Sequence, residues 1–430
     1  MFAGLCLALL APMSAFADVE INETNFPDAN FRNYLLAQDY GEDGVITDDE
    51  IAEITNIDVS YNNISTLEGI QYFTALTWLE CNDNQLTNLD VSKNMALTDL
   101  DCDYNQLTSL DVSNNTALTL LLCHSNQLTS LDISNNTALT DLSCYNNQLT
   151  SLDVTNNTAL IQLECDRNQL TSLDVSKNTA LTYLGCGDNQ LTRLDVSNNT
   201  ALTYLGCGDN QLTSLDVSKN TALTSLSCGA NQLTSLDVSK NTELKHLNCN
   251  NNPLTSLDVT NNTALTSLSC YDNQLTSLDV SNNTALTELI CYDNQLTSLD
   301  VSKNTALTHL RCQHNQLYGE NMDKLISSLP NTEGRIYIYD STSETEGNVC
   351  TKSQVAAIKE KGWTPYYWIG YVWLEYEGCD DADGIIATEV DNGSEIDTNA
   401  PAYDLNGRRV EGWQSKNGVY IVGGKKVVIK

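Results

Sequence analysis

A 21-residue motif is repeated along this chain from about residue 54 to residue 317. Twelve cysteines mark its register, each 21 positions after the one before it: Cys81, Cys102, Cys123, Cys144, Cys165, Cys186, Cys207, Cys228, Cys249, Cys270, Cys291 and Cys312. An asparagine stands three residues after each cysteine, from Asn84 to Asn315. A fixed period of about 20–29 residues carrying L-x-x-L-x-C-x-x-N-x-L is typical of a leucine-rich repeat.

Each copy shows the alternation of a strand with one buried face. In the copy around Cys207, Leu205 and Cys207 alternate with residues that face outward, so both side chains are predicted to point inward. Asn210 then bends the chain, and its side chain is expected to satisfy backbone groups that the bend leaves without partners. The S-K-N-T-A run that follows has turn chemistry, which returns the chain to the next strand.

The length of the motif decides the fold class. Twenty-one residues leave no room for a full convex helix in each turn, and no copy buries its apolar edge without its neighbours. We therefore predict an α/β repeat, a leucine-rich-repeat solenoid over residues 55–317 with a parallel β-sheet, about 13 turns and few helices. A helical N-terminal cap and a small C-terminal β-module are predicted to flank it.

The cysteines of the repeat are predicted to be reduced thiols. Equivalent Cβ atoms on in-register parallel strands lie about 4.8 Å apart, beyond the roughly 3.5–4.5 Å that a disulfide requires. We therefore interpret the cysteines as small apolar fillers stacked in the core. Thiols in single file do not surround an ion tetrahedrally, which argues against a metal site in this column.

With its cysteine column, the repeat resembles the cysteine-ladder leucine-rich repeats of bacterial surface proteins of the internalin J type. Those repeats also place a cysteine at an inner strand position, in units of the same length. The resemblance covers about residues 54–317. It implies a secreted, non-catalytic protein that serves in binding or adhesion.

The net charge of −35 argues against nucleic acid and anionic membrane surfaces as partners. Much of this charge recurs in register, at Asp90, Asp111, Asp132, Asp153, Asp174, Asp195, Asp216, Asp237, Asp258, Asp279 and Asp300. Two accounts explain how these neighbours coexist: bonds from backbone N–H groups and Ser or Thr hydroxyls, or cations between the turns. The four histidines are scattered and assemble no nucleophile with a base, so we predict that the chain is not an enzyme.

The N-terminal residues divide into a leader and a cap. Residues 1–17 are predicted to be a signal peptide, with an apolar core at 5–10 and an A-x-A cleavage site at 15–17, and this predicts a secreted protein. No later segment is long and apolar enough to span a membrane. Residues 18–54 are predicted to form the cap, with helices at 28–38 and 48–54.

The loop between the two predicted helices, residues 39–50, resembles an EF-hand. Asp39, Asp43 and Glu50 occupy its first, fifth and twelfth positions, whereas Gly41 supplies no carboxylate at the third. Two interpretations remain open. The loop is either a weak extracellular calcium site, which makes calcium the one candidate cofactor, or a metal-free helix-loop-helix that covers the first turn.

The residues beside each cysteine vary while the framework does not. Exposed aromatic side chains on a rigid sheet are typical of binding hot spots. The predicted ligand-binding residues, which lie on the sheet face, are Trp78, Tyr104, Tyr145, Tyr183, Tyr204, Tyr271, Tyr292, His309 and Arg311. The predicted partner is a protein, on a host or other cell surface; alternatively, the variation is neutral and the chain is a structural surface spacer.

Residues 318–379 are predicted to close the solenoid as a C-terminal cap. Helices are expected at 319–329 and 352–361, with a strand at 335–339. Half of residues 363–376 are aromatic, and this segment is either a hydrophobic cover or a carbohydrate-stacking surface, so glycan binding is the alternative function. Cys350 and Cys379 lie outside the 21-residue register, and they either pair as a disulfide or remain thiols.

The last residues change character twice. Residues 380–401 are an acidic linker, and residues 402–430 form a β-module with hairpin signals at Asn406-Gly407, Asn417-Gly418 and Gly423-Gly424. This module resembles the C-terminal sorting domain of type IX secretion at Tyr403, Asn406, Gly407, Gly418, Tyr420 and the terminal K-K-V-V-I-K. That resemblance implies export with release or peripheral attachment to the outer cell surface; the alternative is a small independent β-module.

Overall fold

A computed structural model describes residues 18–343, 345–380, 402–404, 409–410, 418–422 and 425–429. The predicted signal peptide, residues 381–401 of the predicted linker, and the hairpin turns at Asn406-Gly407 and Gly423-Gly424 lie outside the described residues, as does Asn417. Contacts divide the chain into two compact units, Met1–Ala180 and Leu181–Lys430.

The first unit begins with a small helical cap. It contains α1 (Ala29–Leu36), a 3-10 turn (Asp39–Gly41) and α2 (Asp48–Glu53), together with the antiparallel strands β1 (Val19–Glu20) and β2 (Val45–Ile46). Asp28 begins α1, because its Oδ1 accepts the N–H groups of Asn30 and Phe31. Its Oδ2 accepts the N–H and hydroxyl of Ser65, both at 2.8 Å, which joins the cap to the first turn of the solenoid.

The solenoid part of the first unit is a parallel sheet of three-residue strands. These are β3 (Asn56–Asp58), β4 (Trp78–Glu80), β5 (Asp99–Asp101), β6 (Leu120–Leu122), β7 (Asp141–Ser143) and β8 (Gln162–Glu164). Successive strands pair in register, so that Leu100 lies opposite Leu79 on one side and Leu121 on the other. A 3-10 turn at Ile70–Tyr72 follows Gly69 in the first turn.

The second unit continues the same design and then departs from it. Its repeat strands are β9 (Tyr183–Gly185), β10 (Tyr204–Gly206), β11 (Ser225–Ser227), β12 (His246–Asn248), β13 (Ser267–Ser269), β14 (Glu288–Ile290) and β15 (His309–Arg311). After them come α3 (Glu320–Ser328), β16 (Gly334–Asp340), α4 (Lys352–Glu360), β17 (Trp363–Trp368) and β18 (Trp373–Glu375). Strands β16 and β17 extend the sheet in parallel, whereas β18 returns antiparallel along β17.

The end of the chain forms its own sheet. Strands β19 (Ala402–Asp404), β20 (Gly418–Val422) and β21 (Lys425–Ile429) pair antiparallel in that order. The predicted architecture, a leucine-rich-repeat solenoid with a parallel sheet, few helices, a helical N-terminal cap and a small C-terminal β-module, is confirmed.

The cysteine column lies in the core with the leucines, as the alternation predicts. The twelve repeat cysteines are fully buried thiols, and the thiol of Cys81 donates to the carbonyl of Asp101 in the next turn at 3.3 Å. Burial raises the pKa of the Cys228 thiol to about 12 and that of Cys249 well above its ordinary value. The thiols are therefore neutral, apolar filling in this core.

The asparagine after each cysteine joins neighbouring turns. Asn210 donates from Nδ2 to the carbonyls of Cys186 at 3.0 Å, Cys207 at 3.2 Å and Gly208 at 3.1 Å. Its Oδ1 accepts the N–H of Leu191 in the preceding turn at 2.9 Å. The predicted role of this asparagine is therefore confirmed, and it extends to a link between turns.

A second asparagine column was not predicted. The asparagine of the S-K-N-T-A run is fully buried: Asn241 donates from Nδ2 to the carbonyls of Val217 at 3.0 Å and Asn220 at 2.9 Å. Equivalent bonds recur at Asn262 and Asn283. The run is thus a turn, as predicted, and its asparagine also forms hydrogen bonds to the preceding turn.

The aspartate column is held by local hydrogen bonds. Asp258 accepts the N–H of Thr260 at 2.9 Å and its hydroxyl at 2.7 Å, and Asp237 accepts the N–H of Ser239 at 2.9 Å. These bonds lower the pKa of both carboxyl groups. The first of the two predicted accounts is therefore the one present in this structure.

Candidate functional site

The EF-hand-like loop uses its carboxylates for its own backbone. Glu50 Oε2 accepts the N–H and the hydroxyl of Thr47, both at 2.8 Å, while the Thr47 hydroxyl accepts the N–H of Glu50 at 3.3 Å. This reciprocal pair is a capping box at the start of α2. Asp43 accepts the N–H of Val45 at 3.0 Å, and Asp39 begins the 3-10 turn.

The predicted calcium ligands Asp39, Asp43 and Glu50 are therefore not brought together here. Within the described ranges, no group of three or more His, Cys, Asp or Glu side chains is arranged to hold a metal ion. The physical reason is that the Glu50 carboxylate is occupied by the helix cap, and Gly41 offers no side chain. In this geometry the loop caps α2, and calcium binding by the loop stays a prediction.

Calcium is expected to leave the thermal midpoint of the full chain unchanged. Glu50→Gln retains a capping box, so it should melt within about 1 °C of the wild type with or without 5 mM calcium. Glu50→Ala loses the box and should cost about 1 kcal/mol in either condition. Circular dichroism melts check this, and a calcium-dependent rise that Glu50→Gln abolishes would instead establish the calcium site.

In the first unit, the predicted residues Tyr104 and Tyr145 both contact His124, which was not predicted. Tyr104, which is 52% exposed, packs edge-on against His124 at 5.1 Å, and Tyr145 stacks on the other side of His124 at 4.0 Å. His124 Nε2 lies 2.5 Å from the Oδ2 of the buried Asp103. Trp78, on β4, is exposed and has no ring contact with them among the described residues.

This first cluster is strongly acidic. Burial, together with the neighbouring carboxylates of Asp103 and Glu80, raises the pKa of Asp101 to about 6. Burial also raises the pKa values of Asp103 and Glu80. The Tyr145 hydroxyl lies among these carboxylates and has a pKa raised to about 12, first by its burial. The cluster suits a cationic group more than an anionic one.

In the second unit, the rings of Tyr183 and Tyr204 stack on each other. Their ring centroids are 4.2 Å apart and their planes differ by 5°. A Cβ added to Gly206 would lie 3.0 Å from the Tyr204 hydroxyl, so the tyrosine ring lies across this glycine. The pair forms a flat, half-buried aromatic platform on the sheet.

A larger set of rings gathers where the repeats end. Tyr271 stacks on Tyr292 at 4.4 Å, and the guanidinium carbon of Arg311 lies 4.7 Å from the Tyr292 centroid. The same guanidinium lies 5.4 Å from Tyr337 and 5.2 Å from Trp373. We call Tyr271, Tyr292, Arg311, Tyr337 and Trp373 the Arg311 cluster. His309, also predicted, adjoins it with its ring 5.1 Å from Tyr337.

The predicted residues Tyr271, Tyr292 and Arg311 thus form one cluster with Tyr337 and Trp373, which were not among the predicted residues of the sheet face. Tyr271, Tyr292 and Arg311 come from the repeat, whereas Tyr337 lies on β16 and Trp373 on β18. The stacked pairs carried a usable signal, because rings 21 residues apart occupy equivalent positions on adjacent strands. Tyr337 carried none, because it lies outside the repeat. Trp373 lies in the aromatic 363–376 segment, which was predicted as a cover or a carbohydrate surface and not as a neighbour of the repeat.

The 363–376 segment serves in part as a cover. Trp363 is 1% exposed, and its Nε1 donates to the carbonyl of Pro330 at 2.9 Å. Trp368 and Trp373 are half-buried and pack at 5.1 Å, and Tyr371 between them in sequence is 82% exposed. The predicted hydrophobic cover therefore describes one end of this segment, while the other end reaches the surface.

Cys350 and Cys379 meet as thiols and not as a disulfide. The Cys379 Sγ donates to the backbone carbonyl of Cys350 at 3.4 Å. Thr351 and Cys379 form an isolated parallel bridge, which brings the two chain segments together. A disulfide between Cys350 and Cys379 stays a prediction.

Comparison with known proteins gives one family model and several relatives. The model of the LVIVD repeat matches residues 174–207 and 268–294. Internalin J of Listeria monocytogenes is 42% identical over 70 residues, which are 16% of this chain and 8% of that protein. The matched segment thus spans a small part of the length of this relative.

Two solved structures from Listeria monocytogenes share the fold. The functional domain of InlJ, which includes a cysteine ladder, is 35% identical, with a TM-score of 0.69 over 81% of this chain and 80% of that one. The internalin InlF is 24% identical, with a TM-score of 0.58 over 77% and 100%, and it shows a likeness of fold alone. Across the described segments, no helix has the length and apolarity needed to cross a membrane.

Proposed function

Because this chain belongs to the internalin-like leucine-rich-repeat proteins, we propose that it binds a partner protein through its parallel-sheet face and performs no catalysis. The observation that carries this proposal is the Arg311 cluster. Tyrosine, tryptophan and arginine dominate the energetics of protein interfaces, and here three such rings contact one guanidinium while a fourth, Tyr271, stacks on Tyr292. The same cluster extends the predicted binding residues Tyr271, Tyr292 and Arg311.

The backbone beneath the cluster supports a preformed site. Strands β13 to β16 pair in register, β17 pairs with β16 in register up to Tyr337, and Tyr337 stacks on Tyr366 at 5.2 Å. Rings held by such a sheet lose little conformational freedom on binding, so more of their contact energy appears as affinity. Trp78, Tyr104, Tyr145, Tyr183 and Tyr204 are proposed as secondary contacts on the same kind of face.

The double variant Tyr271→Ser/Tyr292→Ser is expected to lose protein partners. Truncation of two hot-spot rings should reduce retention at least about 10-fold. The immobilised full chain, with and without the change, would be exposed to cell-surface protein extracts, and retained proteins quantified by mass spectrometry. Tyr183→Ser/Tyr204→Ser is the comparison variant: it removes a similar stack among the proposed secondary contacts, so it should reduce retention less than the first variant does. Equal retention by the wild type and the first variant would favour a structural spacer.

Glycan binding is the second candidate, on the exposed end of the 363–376 segment. Tyr371 is 82% exposed and neighbours the half-buried Trp368 and Trp373, which is the material of a carbohydrate-stacking surface. A Tyr371→Ala/Trp368→Ala variant that stays folded but loses retention on a glycan array would support this function. Retention of no glycan by the wild-type chain would end it.

We also propose that residues 402–430 direct export and surface attachment or release by a type IX route. The resemblance at Tyr403 and Gly418 and the antiparallel sheet β19–β20–β21 support this. In a bacterium with that system, deletion of 402–430 is expected to move most of the protein from the surface and medium into the cells. Immunoblots of fractions measure this, with periplasmic accumulation as the specific sign. An unchanged distribution would favour an independent β-module.

A further inference from the structure

We propose that Arg311 receives a carboxylate of the partner protein, from an Asp or Glu side chain set among neutral or basic residues. This rests on the proposed protein-binding function and names the chemistry of its central contact. The feature that points to it is a half-buried guanidinium whose neighbours are rings and not acids.

The rings hold the guanidinium without using its hydrogen-bond donors. Tyr292, Tyr337 and Trp373 approach it within 4.7, 5.4 and 5.2 Å of their centroids, and Trp373 stands at 83° to Tyr337. Cation–π contact fixes the position of the charge but satisfies no N–H group. The Nε of Arg311 is buried and has no acceptor among the described residues. A guanidinium fixed in this way is ready for a planar, bidentate acceptor.

Three carboxylates of the adjoining turns are engaged elsewhere. Asp293 bonds His314 Nδ1, and Asp340 Oδ2 lies 3.2 Å from His314 Nε2. Glu346 is buried and accepts three backbone N–H groups at 2.8–3.0 Å. Arg311 forms no ion pair in the part of the chain that the structure describes, although the whole chain has a net charge of −35. The sheet therefore leaves this cation available.

The surrounding charge selects the kind of anion. Arg335 lies opposite His309 on the neighbouring strand, so one further cationic side chain adjoins the site on that side, while burial lowers the pKa of His309. On the other side Asp272 and Asp293 lie near the stacked tyrosines, and the chain as a whole is strongly acidic. A polyanionic glycan or nucleic acid would be repelled by this field, whereas a single carboxylate in a neutral or basic segment would not. The partner is therefore a protein surface with one acidic anchor.

Three synthetic peptides test the proposal on the full chain. The probes are acetyl-Lys-Gly-Glu-Tyr-Gly-Lys-amide, the same peptide with Gln for Glu, and the same peptide with phosphoserine for Glu. Binding is measured by isothermal titration at low salt. We expect the Glu peptide to bind at least about 10-fold tighter than the Gln peptide. The Gln peptide carries more positive charge, so general attraction to an acidic protein would give the opposite order and would overturn the proposal.

Variants locate the effect at Arg311. Arg311→Gln should abolish the preference for Glu over Gln, Arg311→Lys should retain part of it, and Arg193→Gln, an exposed arginine of the same unit, should leave it intact. The wild-type comparison of peptides needs no variant, so it decides the matter even if Arg311→Gln unfolds. Tighter binding of the phosphoserine peptide would replace the carboxylate by a phosphate.

The failure of this inference is separable from that of the proposed function. Partner proteins retained by the wild type should be lost with Arg311→Gln as well as with Tyr271→Ser/Tyr292→Ser. If only the tyrosine variant loses them, the sheet face still binds protein and the carboxylate contact is wrong. If neither variant loses them, the proposed binding face itself is wrong.

Discussion

Replacement of Asn210 by alanine is expected to destabilise the folded chain by about 3 kcal/mol. The asparagine is buried, donates to three backbone carbonyls and accepts the N–H of Leu191. Alanine leaves the N–H of Leu191 in the core without an acceptor, at a cost of roughly 1–3 kcal/mol. It also removes one donor from each carbonyl, although Asn189, Asn231 and Asp188 still donate to them. Because the bonds reach into the preceding turn, the effect should spread to the neighbouring repeats. Urea denaturation followed by far-UV circular dichroism measures it.

Two further substitutions identify the cause. Asn282→Ala removes an exposed asparagine whose single bond goes to the carbonyl of Thr260 at 3.0 Å, and it should cost no more than about 0.5 kcal/mol. Asn210→Asp should be at least as damaging as alanine, because it directs carboxylate oxygens at carbonyl groups. Equal effects of Asn210→Ala and Asn282→Ala would show that the column does not hold the turns together.

Gly69→Ala is expected to cost about 3 kcal/mol or more and to release the N-terminal cap. Gly69 has φ of +108°, and an added Cβ would lie 2.1 Å from Phe26 Cδ1 and 2.6 Å from the carbonyl of Asn25. Phe26 is fully buried and packs at 5.6 Å against Phe31 of α1. The methyl group therefore forces Phe26 out of the contact between cap and first turn. Urea denaturation gives the stability, and limited proteolysis reports the cap.

Gly44→Ala is the matched control for backbone strain. Gly44 also has a positive φ, +82°, but an added Cβ would meet nothing within 4 Å. This variant should therefore cost only about 1–2 kcal/mol, from the left-handed backbone alone. If Gly69→Ala costs no more than Gly44→Ala and the cap resists protease equally, the cap does not depend on the Phe26 contact.

The repeat alone determined the framework. The buried positions of Leu205 and Cys207, the role of Asn210 and the thiol state of the cysteines all followed from its period. They did so because a strand repeated in register turns a local pattern into a tertiary contact: each side chain meets its own equivalent one turn away. The cap helices followed as well, since their capping residues act within a few positions of the chain.

Other local features were not visible in the pattern. The residue before each bend asparagine has a left-handed backbone, with φ of +51° at Ala230 and +48° at Tyr104, although no single residue type marks the position. Likewise Glu50 suits both a calcium loop and a capping box in the sequence, and in the structure its carboxylate bonds Thr47. The Glu50 carboxylate thus fits the sequence pattern of a calcium ligand and that of a helix cap, and its contacts in the structure are those of the cap.

The sequence predicted only part of the candidate site. Stacking of Tyr271 on Tyr292 follows from the register, so the sequence by itself indicated those rings and Arg311. The closure of the Arg311 cluster was decided only by tertiary structure, because β16 adds Tyr337 beyond the last repeat and β18 returns antiparallel with Trp373. No period relates these strands to the repeat, and their approach depends on how the chain folds back through α3 and α4. Contacts between equivalent positions of the repeat can be predicted from the sequence, because the period fixes which residues are neighbours. Contacts between segments that no period relates depend on the packing of the whole unit.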